Sequence, residues 1–458
     1  MTRHATVQLG SGAIRGRRLD GHLSFRGIPY AAPPVNERRW RPPAPVSPWS
    51  GVWDATVPKN PAPQLAQSFA DVTSVDEDCL TLDITVPEAP GSGRPVMVWL
   101  HGGGGTNGTA ATYDPRRLAV TGDVVVVAPN FRLGVLGCFG YPGLADSGTF
   151  GLQDQQAALR WVQREITRFG GDPANVTLVG ESYGALMGAA HLVAPASAGL
   201  FHRAILQSGF AVTGSTPAHT FIPGVPELPP RWIPMAELER LGAATAAEHG
   251  WVRPGSAPES ALEQLRRVPV PDLLQVSDAF IRPAFGGPAL PESPATALPA
   301  GRFPRIPLML GTTRDEARFF VGLFADLAGT PVTAESYPRL LAEAFGDAAD
   351  EVAARYALDR FPTPSLAWAQ ICTDRAWARP AWELGQIFAA HTDTWFYEFA
   401  DRMNRYWAAF ATYGTPACDD LPSWPDVGSG HVQSLAPERI GGTDYAAEHR
   451  LEFWARMP

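Results

Sequence analysis

The strongest constraint on how this chain can fold is a serine flanked by glycines two residues to either side, set between an apolar run and a helical pattern. Val176-Thr177-Leu178-Val179 reads as a strand, Gly180-Glu181-Ser182-Tyr183-Gly184 follows it, and Tyr183 to Leu192 reads as a helix. Only a sharp strand-to-helix turn joins such elements in so few residues. It forces the central serine into a strained conformation that the flanking glycines leave room for. The turn lifts Ser182 Oγ clear of the sheet and sets it at a helix N-terminus, which favours developing negative charge. A bare Gly/Ser-rich turn with no chemistry would share the motif; the strand before it and the helix after it favour a nucleophile.

The rest of the chain supplies the sheet such a turn needs. Val96-Met97-Val98-Trp99-Leu100 and Val124-Val125-Val126-Val127-Ala128 are continuous apolar runs, as expected of parallel strands covered on both faces. Gly151 to Phe169 reads as an amphipathic helix stopped by Gly170-Gly171-Asp172-Pro173. Ala204 to Gln207, Ile306 to Leu310 and Thr394 to Phe399 read as further strands. Repeated β-α-β units with short links predict a mainly parallel sheet with right-handed crossovers. The N-terminus reads as hairpins around a Gly-Ser-Gly turn. A proline-rich stretch from Pro29 to Pro63 follows, with Trp40, Trp49 and Trp53 as anchors. Residues from about 213 to 305 break the rhythm and predict a cap insertion over the carboxyl edge of the sheet. With no linker or repeat, the expectation is one α/β-hydrolase domain over residues 1–458.

Charge and cysteine usage narrow the partners. A net charge of −9 and a pI near 5.6 argue against nucleic acid or an anionic membrane surface. No run approaches the ~18 apolar residues of a membrane helix, and the first residues lack a signal-peptide core. Cys79, Cys138, Cys372 and Cys418 are scattered, with no CxxC or Cys/His metal spacing. The expectation is a cytoplasmic protein with reduced thiols, no metal and no organic cofactor, acting on a small-molecule ester or related metabolite.

A second glycine motif, His101-Gly102-Gly103-Gly104-Gly105, follows the strand ending at Leu100. Without Cβ atoms in the way, its backbone N–H groups can converge on one oxygen. His101 itself reads as structural. Together with Phe25-Arg26-Gly27-Ile28-Pro29-Tyr30-Ala31, Glu77-Asp78-Cys79-Leu80-Thr81-Leu82-Asp83-Ile84, Asn130-Phe131-Arg132-Leu133-Gly134, Phe169 to Pro173 and Ala204 to Gly209, these motifs resemble the type B carboxylesterase family. The resemblance implies that Ser182 is the nucleophile, that Gly103, Gly104 and the Tyr183 N–H form an oxyanion hole, and that Glu316, in Gly311-Thr312-Thr313-Arg314-Asp315-Glu316, is the triad acid. It implies a buried hydroxyl, Ser208, beside Glu316. It also matches Cys79 to a cysteine that secreted relatives use in a disulfide, but no cysteine precedes Cys79 here. Gly105 stands where relatives often carry an aromatic side chain, which implies a roomier pocket.

The resemblance breaks after the strand ending at Phe399. There the family carries its catalytic histidine in a long loop; here Phe399-Ala400-Asp401 runs almost directly into Arg402-Met403-Asn404-Arg405-Tyr406-Trp407, and no histidine occurs before Trp424-Pro425. Three readings follow. One is a carboxylesterase working through an acyl-enzyme on Ser182. The second uses the same pocket and oxyanion hole for another reaction on a metabolite, such as cyclisation or elimination. The third is a non-catalytic binder, which would need neither the elbow nor the glycine loop.

Overall fold

The apolar runs do become strands, and their register positions the motifs. The computed structural model describes residues 4–67, 72–209, 212–220, 223–399, 404–418, 421–436 and 439–457. They fall into two units. The first comprises residues 1–206, 232–308 and 403–419; the second comprises 207–231, 309–402 and 420–458.

In the first unit, β1 (His4–Leu9), β2 (Gly12–Leu19), β3 (His22–Pro29), β4 (Val52–Asp54), β5 (Thr81–Pro87), β6 (Arg94–Leu100), β7 (Val125–Pro129), β8 (Gly171–Glu181) and β9 (Arg203–Gln207) follow one another along the chain. Their spatial order is β1-β2-β3-β5-β7-β6-β8-β9, with β4 pairing β2. The N-terminal strands pair antiparallel, from β1 across to β7. The crossover strands are parallel, β6 with β7 and β6 with β8. Val96, Val98, Leu100, Val125, Val127, Leu178 and Val179 are fully buried, which is why these strands read as unbroken apolar runs. The helix Phe150–Glu165 crosses between β7 and β8 and ends, through a short 3-10 turn, at Gly170 in the left-handed conformation, φ 77°.

Trp40 anchors the proline-rich stretch as expected. It is buried, stacks on Phe139 at 4.6 Å, and donates its indole N–H to the Val135 carbonyl. Around it, Phe139 and Phe150 form a core with Ile233, Leu238, Ala246, Leu265 and Phe280. The last five belong to the segment expected as a cap. It includes the helix Met235–Glu248 and a minimal parallel pair, β10 (Ile233–Pro234) with β11 (Ala284–Phe285). The expected insertion does not behave as one piece. Residues 232–308 pack within the first unit, whereas 207–231 group with the second. Five prolines between Pro217 and Pro230 keep the described part of that stretch free of helix, and amphipathic helix begins only at Met235.

In the second unit, β12 (Leu308–Thr313), β13 (Thr394–Phe399), β14 (Val432–Ala436) and β15 (Arg439–Thr443) lie in that order. β13 and β14 pair in parallel, and β14 and β15 antiparallel. Helices between β12 and β13 build an aromatic core in which Tyr356, Trp368 and Trp377 pack with Phe453 and Trp454 from the C-terminal segment. Among the described residues no helix is long and apolar enough to cross a membrane.

Candidate active site

Within the first unit, β6 and β8 pair so that Leu100 stands opposite Gly180. The glycine loop after β6 and the turn after β8 therefore leave the sheet side by side. The fit is close. A Cβ on Gly180 would lie 2.2 Å from the Gly184 carbonyl oxygen, and one on Gly184 would lie 2.0 Å from that of Leu100. Neither position accepts a side chain without opening the turn. Ser182 sits on it at φ 52°, ψ −115°, a conformation few non-glycine residues adopt, and precedes the helix Tyr183–Val193. Ala185 and Leu186 donate their N–H groups to the Ser182 carbonyl and start the helix.

The glycine loop rests on this turn. A Cβ on Gly102 would lie 2.3 Å from Glu181 Oε2 and 3.0 Å from Ser182 Cβ. Gly103 and Gly104 hold φ of 106° and 66°. The Gly103 carbonyl accepts from the N–H groups of Thr106 and Asn107, Asn107 Nδ2 donates to the Leu65 carbonyl at 2.6 Å, and the Gly108 N–H donates to Gln64 Oε1 at 2.9 Å. The loop is thus tied by its carbonyls and its far end. The Gly103 and Gly104 N–H groups donate to no acceptor among the described residues. Further along, Arg132 and Asp154 form a doubly hydrogen-bonded pair, fully buried, that fixes the segment after β7.

The space above Gly105 is not open as expected. The Tyr183 ring fills it, with ring atoms 2.7 to 3.1 Å from where a Cβ on Gly105 would stand. The aromatic group comes from the elbow instead of the loop.

In the second unit, Glu316 is half-buried just beyond β12. Its Oε1 accepts the Thr313 N–H at 2.8 Å and its carboxylate accepts a hydrogen bond from Ser208. Burial raises its pKa above the ordinary carboxylate value, against the pull of those hydrogen bonds. Ser208 is placed by its own N–H, which donates to the Gly311 carbonyl at 2.8 Å. Ser208 thus stands beside the Glu316 carboxylate.

The histidines of the first unit near these motifs are committed elsewhere. His101 stacks on Phe131 at 4.3 Å and donates from Nδ1 to the Gly102 carbonyl; burial lowers its pKa to about 4, so it is neutral. His191, lowered to about 3 by burial first and by Arg160 second, is held between Ser197 and Gln155. His202 Nδ1 accepts the Val176 N–H. In the second unit, His219 accepts from Gly224 and His431 pairs with Gln433. Asp401 lies outside the described residues.

His449 is the imidazole that sequence reasoning could not place. The C-terminal segment folds back and buries it between two carboxylates, with Nδ1 2.6 Å from Asp374 and Nε2 2.7 Å from Glu398 on β13. Burial alone would lower its pKa; the hydrogen bonds and charges of Asp374 and Glu398 overcome that and raise it to about 9. At neutral pH it is a cation with both ring nitrogens donating, which is the wrong state for a general base. Arg450 and Tyr356 also bond Asp374, and the Trp454 indole N–H donates to Tyr356. His449 therefore acts as a clasp on the C-terminal segment. No local motif announces it. The four cysteines are free thiols, three of them buried.

A mainly parallel sheet carrying a strained serine at a strand-to-helix turn, beside a glycine loop whose Gly103 and Gly104 N–H groups have no acceptor among the described residues, defines an α/β-hydrolase. Comparison with known proteins narrows this. The model of the carboxylesterase family matches residues 3–404. The para-nitrobenzyl esterase of Bacillus subtilis (strain 168) is 34% identical over 404 residues, covering 86% of this chain and 78% of that protein. The pyrethroid hydrolase Ces2e of Rattus norvegicus is 30% identical, covering 97% and 88%. A solved structure of PNB esterase superposes with a TM-score of 0.75 at 29% identity, covering 98% of this chain and 99% of that one. The chain belongs to the carboxylesterase family. It is a carboxylic ester hydrolase of the serine type, and the readings as a cyclising or eliminating enzyme or as a pure binder are not favoured by these relatives.

Proposed function

We propose that Ser182 is the nucleophile that takes up the acyl group, and that the N–H groups of Gly103, Gly104 and Tyr183 form the oxyanion hole. The observation that carries this reading is the strained Ser182 backbone beside a loop whose Gly103 and Gly104 N–H groups have no acceptor among the described residues. Ser182 Oγ adds to the ester carbonyl carbon and its proton passes to solvent water, from which the departing alcohol takes one in return. The carbonyl oxygen takes the negative charge, the C–O bond to the alcohol breaks, and the alcohol leaves with a proton. Water then adds to the acyl carbon and frees the acid and Ser182. Glu316 is the triad acid and Ser208 holds its carboxylate. A carboxyl group with a raised pKa is also a better proton acceptor than an ordinary one.

Turnover is slow on this reading. The sequence has no histidine between Phe399 and Trp424. Losing the imidazole of a serine triad costs on the order of 10⁶ in kcat and leaves ~10³–10⁴ over water from binding and the oxyanion hole. The substrate class is a small-molecule ester, in line with relatives named para-nitrobenzyl esterase and pyrethroid hydrolase. Free thiols fit a cytoplasmic location, and the net charge of −9 fits a protein that binds neither nucleic acid nor anionic membrane. The test is labelling with a fluorophosphonate together with p-nitrophenyl acetate hydrolysis, with Ser182→Ala as control. Both signals should vanish in the variant; labelling or turnover that survives it rules out Ser182.

A further inference from the structure

We propose that the side chain of Tyr183 sets the size limit on the acyl group, standing where a side chain at position 105 would otherwise stand. The inference rests on Ser182 being the nucleophile and goes beyond it to specificity. A Cβ on Gly105 would lie 2.7 Å from Tyr183 Cε2 and 3.0 Å from Cζ, closer than real Cβ atoms come. Only one of the two positions can carry an aromatic ring. Here the ring belongs to the elbow, and Gly105, at φ 89°, leaves it room. It is clamped in place: Tyr183 is 9% exposed and its hydroxyl lies 3.7 Å from Cys138 Sγ, on the buried helix Gly134–Cys138. That helix in turn donates the Gly134 N–H to the Gly105 carbonyl at 2.7 Å. Burial pushes the Cys138 thiol up to about 12, so it stays protonated.

Ring, loop and helix are therefore one packed block that includes two of the proposed oxyanion donors. Tyr183 gives its own N–H, and Gly104 precedes Gly105. In the acyl-enzyme the alcohol has gone, but the acyl carbon remains on Ser182 with its oxygen at those donors. A ring fixed beside them borders the acyl group through both half-reactions. In an apolar site each added or missing methylene changes kcat/KM by about 10–200-fold, so the loss of a whole ring is readily measured.

The experiment compares kcat/KM for p-nitrophenyl benzoate with that for p-nitrophenyl acetate. Tyr183→Ala should raise the benzoate-to-acetate ratio at least tenfold, and Tyr183→Phe should leave it within twofold. Gly105→Phe should lose at least 100-fold on acetate, through collision with the Tyr183 ring and through the strain of any side chain at φ 89°. Circular dichroism checks folding, and Tyr183→Leu replaces Tyr183→Ala if the latter does not fold. A ratio unchanged on removing the ring overturns the proposal. Turnover that survives Ser182→Ala counts against the nucleophile assignment instead. An unchanged ratio in an enzyme that Ser182→Ala silences counts against the role of Tyr183 alone.

Discussion

Replacing His449 by glutamine should destabilise the protein and remove one pH dependence while leaving the esterase reaction standing. The imidazolium is 2% exposed and lies between Asp374, fully buried, and Glu398, 5% exposed. Its pKa rises from 6.5 to about 9 on folding. At about 1.4 kcal/mol per tenfold change, that is worth roughly 3 kcal/mol. The sign follows from which state holds the proton more tightly. The folded state does, so the contribution is full below pH 6.5 and is lost as pH climbs to about 9 and beyond. Glutamine removes the cation and leaves two buried carboxylates facing each other, which costs about 3–5 kcal/mol. Denaturant unfolding at pH 6.5, 8 and 9.5 measures both effects. The parent should lose stability steadily across that series. His449→Gln should start lower at pH 6.5 and lose much less on going to pH 9.5. Its kcat on p-nitrophenyl acetate at 25 °C should stay within a few-fold of the parent. Equal stability at pH 6.5 with a parallel pH slope would refute the clasp. A collapse of kcat in a folded variant would show that the imidazole serves the reaction after all.

Three further outcomes are expected. Gly103→Ala should lower kcat by at least ~10²-fold with the fold intact by circular dichroism, because its Cβ would stand 2.2 Å from the Asn107 carbonyl oxygen at φ 106° and displace a donor. Arg132→Leu should cost about 3–5 kcal/mol in denaturant unfolding, since it strips the guanidinium from the fully buried Asp154 carboxylate. Glu316→Gln should lower kcat at least tenfold and flatten the acid limb of the pH–rate profile, a limb that lies above the ordinary carboxylate range because burial raises this group; an unchanged profile would remove Glu316 from the reaction.

What could be read from the sequence follows from how local each interaction is. The strand before Ser182, the helix after it and the glycine loop after Leu100 are written in consecutive residues, and the β6–β8 register that aligns them follows from two apolar runs packed in parallel. Ser208 and Glu316 were legible only through family resemblance, because 108 positions separate them along the chain. The Tyr183 ring was missed because Gly105 alone suggests empty space; the collision that fills it involves residues 78 positions apart. His449 was missed for the same reason, its partners lying 75 and 51 residues away. The sequence reads as one cap insertion because prolines interrupt both of its parts, yet burial of Ile233 and Leu238 beside Trp40 assigns the later part to the first unit.

The two glycines that bracket Ser182 touch backbone, at 2.2 and 2.0 Å from where their side chains would begin. What they preserve is the spacing between a strand end and a helix start, and that spacing persists whatever happens to the base that would draw a proton from the serine. A side chain at either glycine would push the strand end and the helix start apart, whatever base serves the serine. The motif is accordingly a record of architecture first.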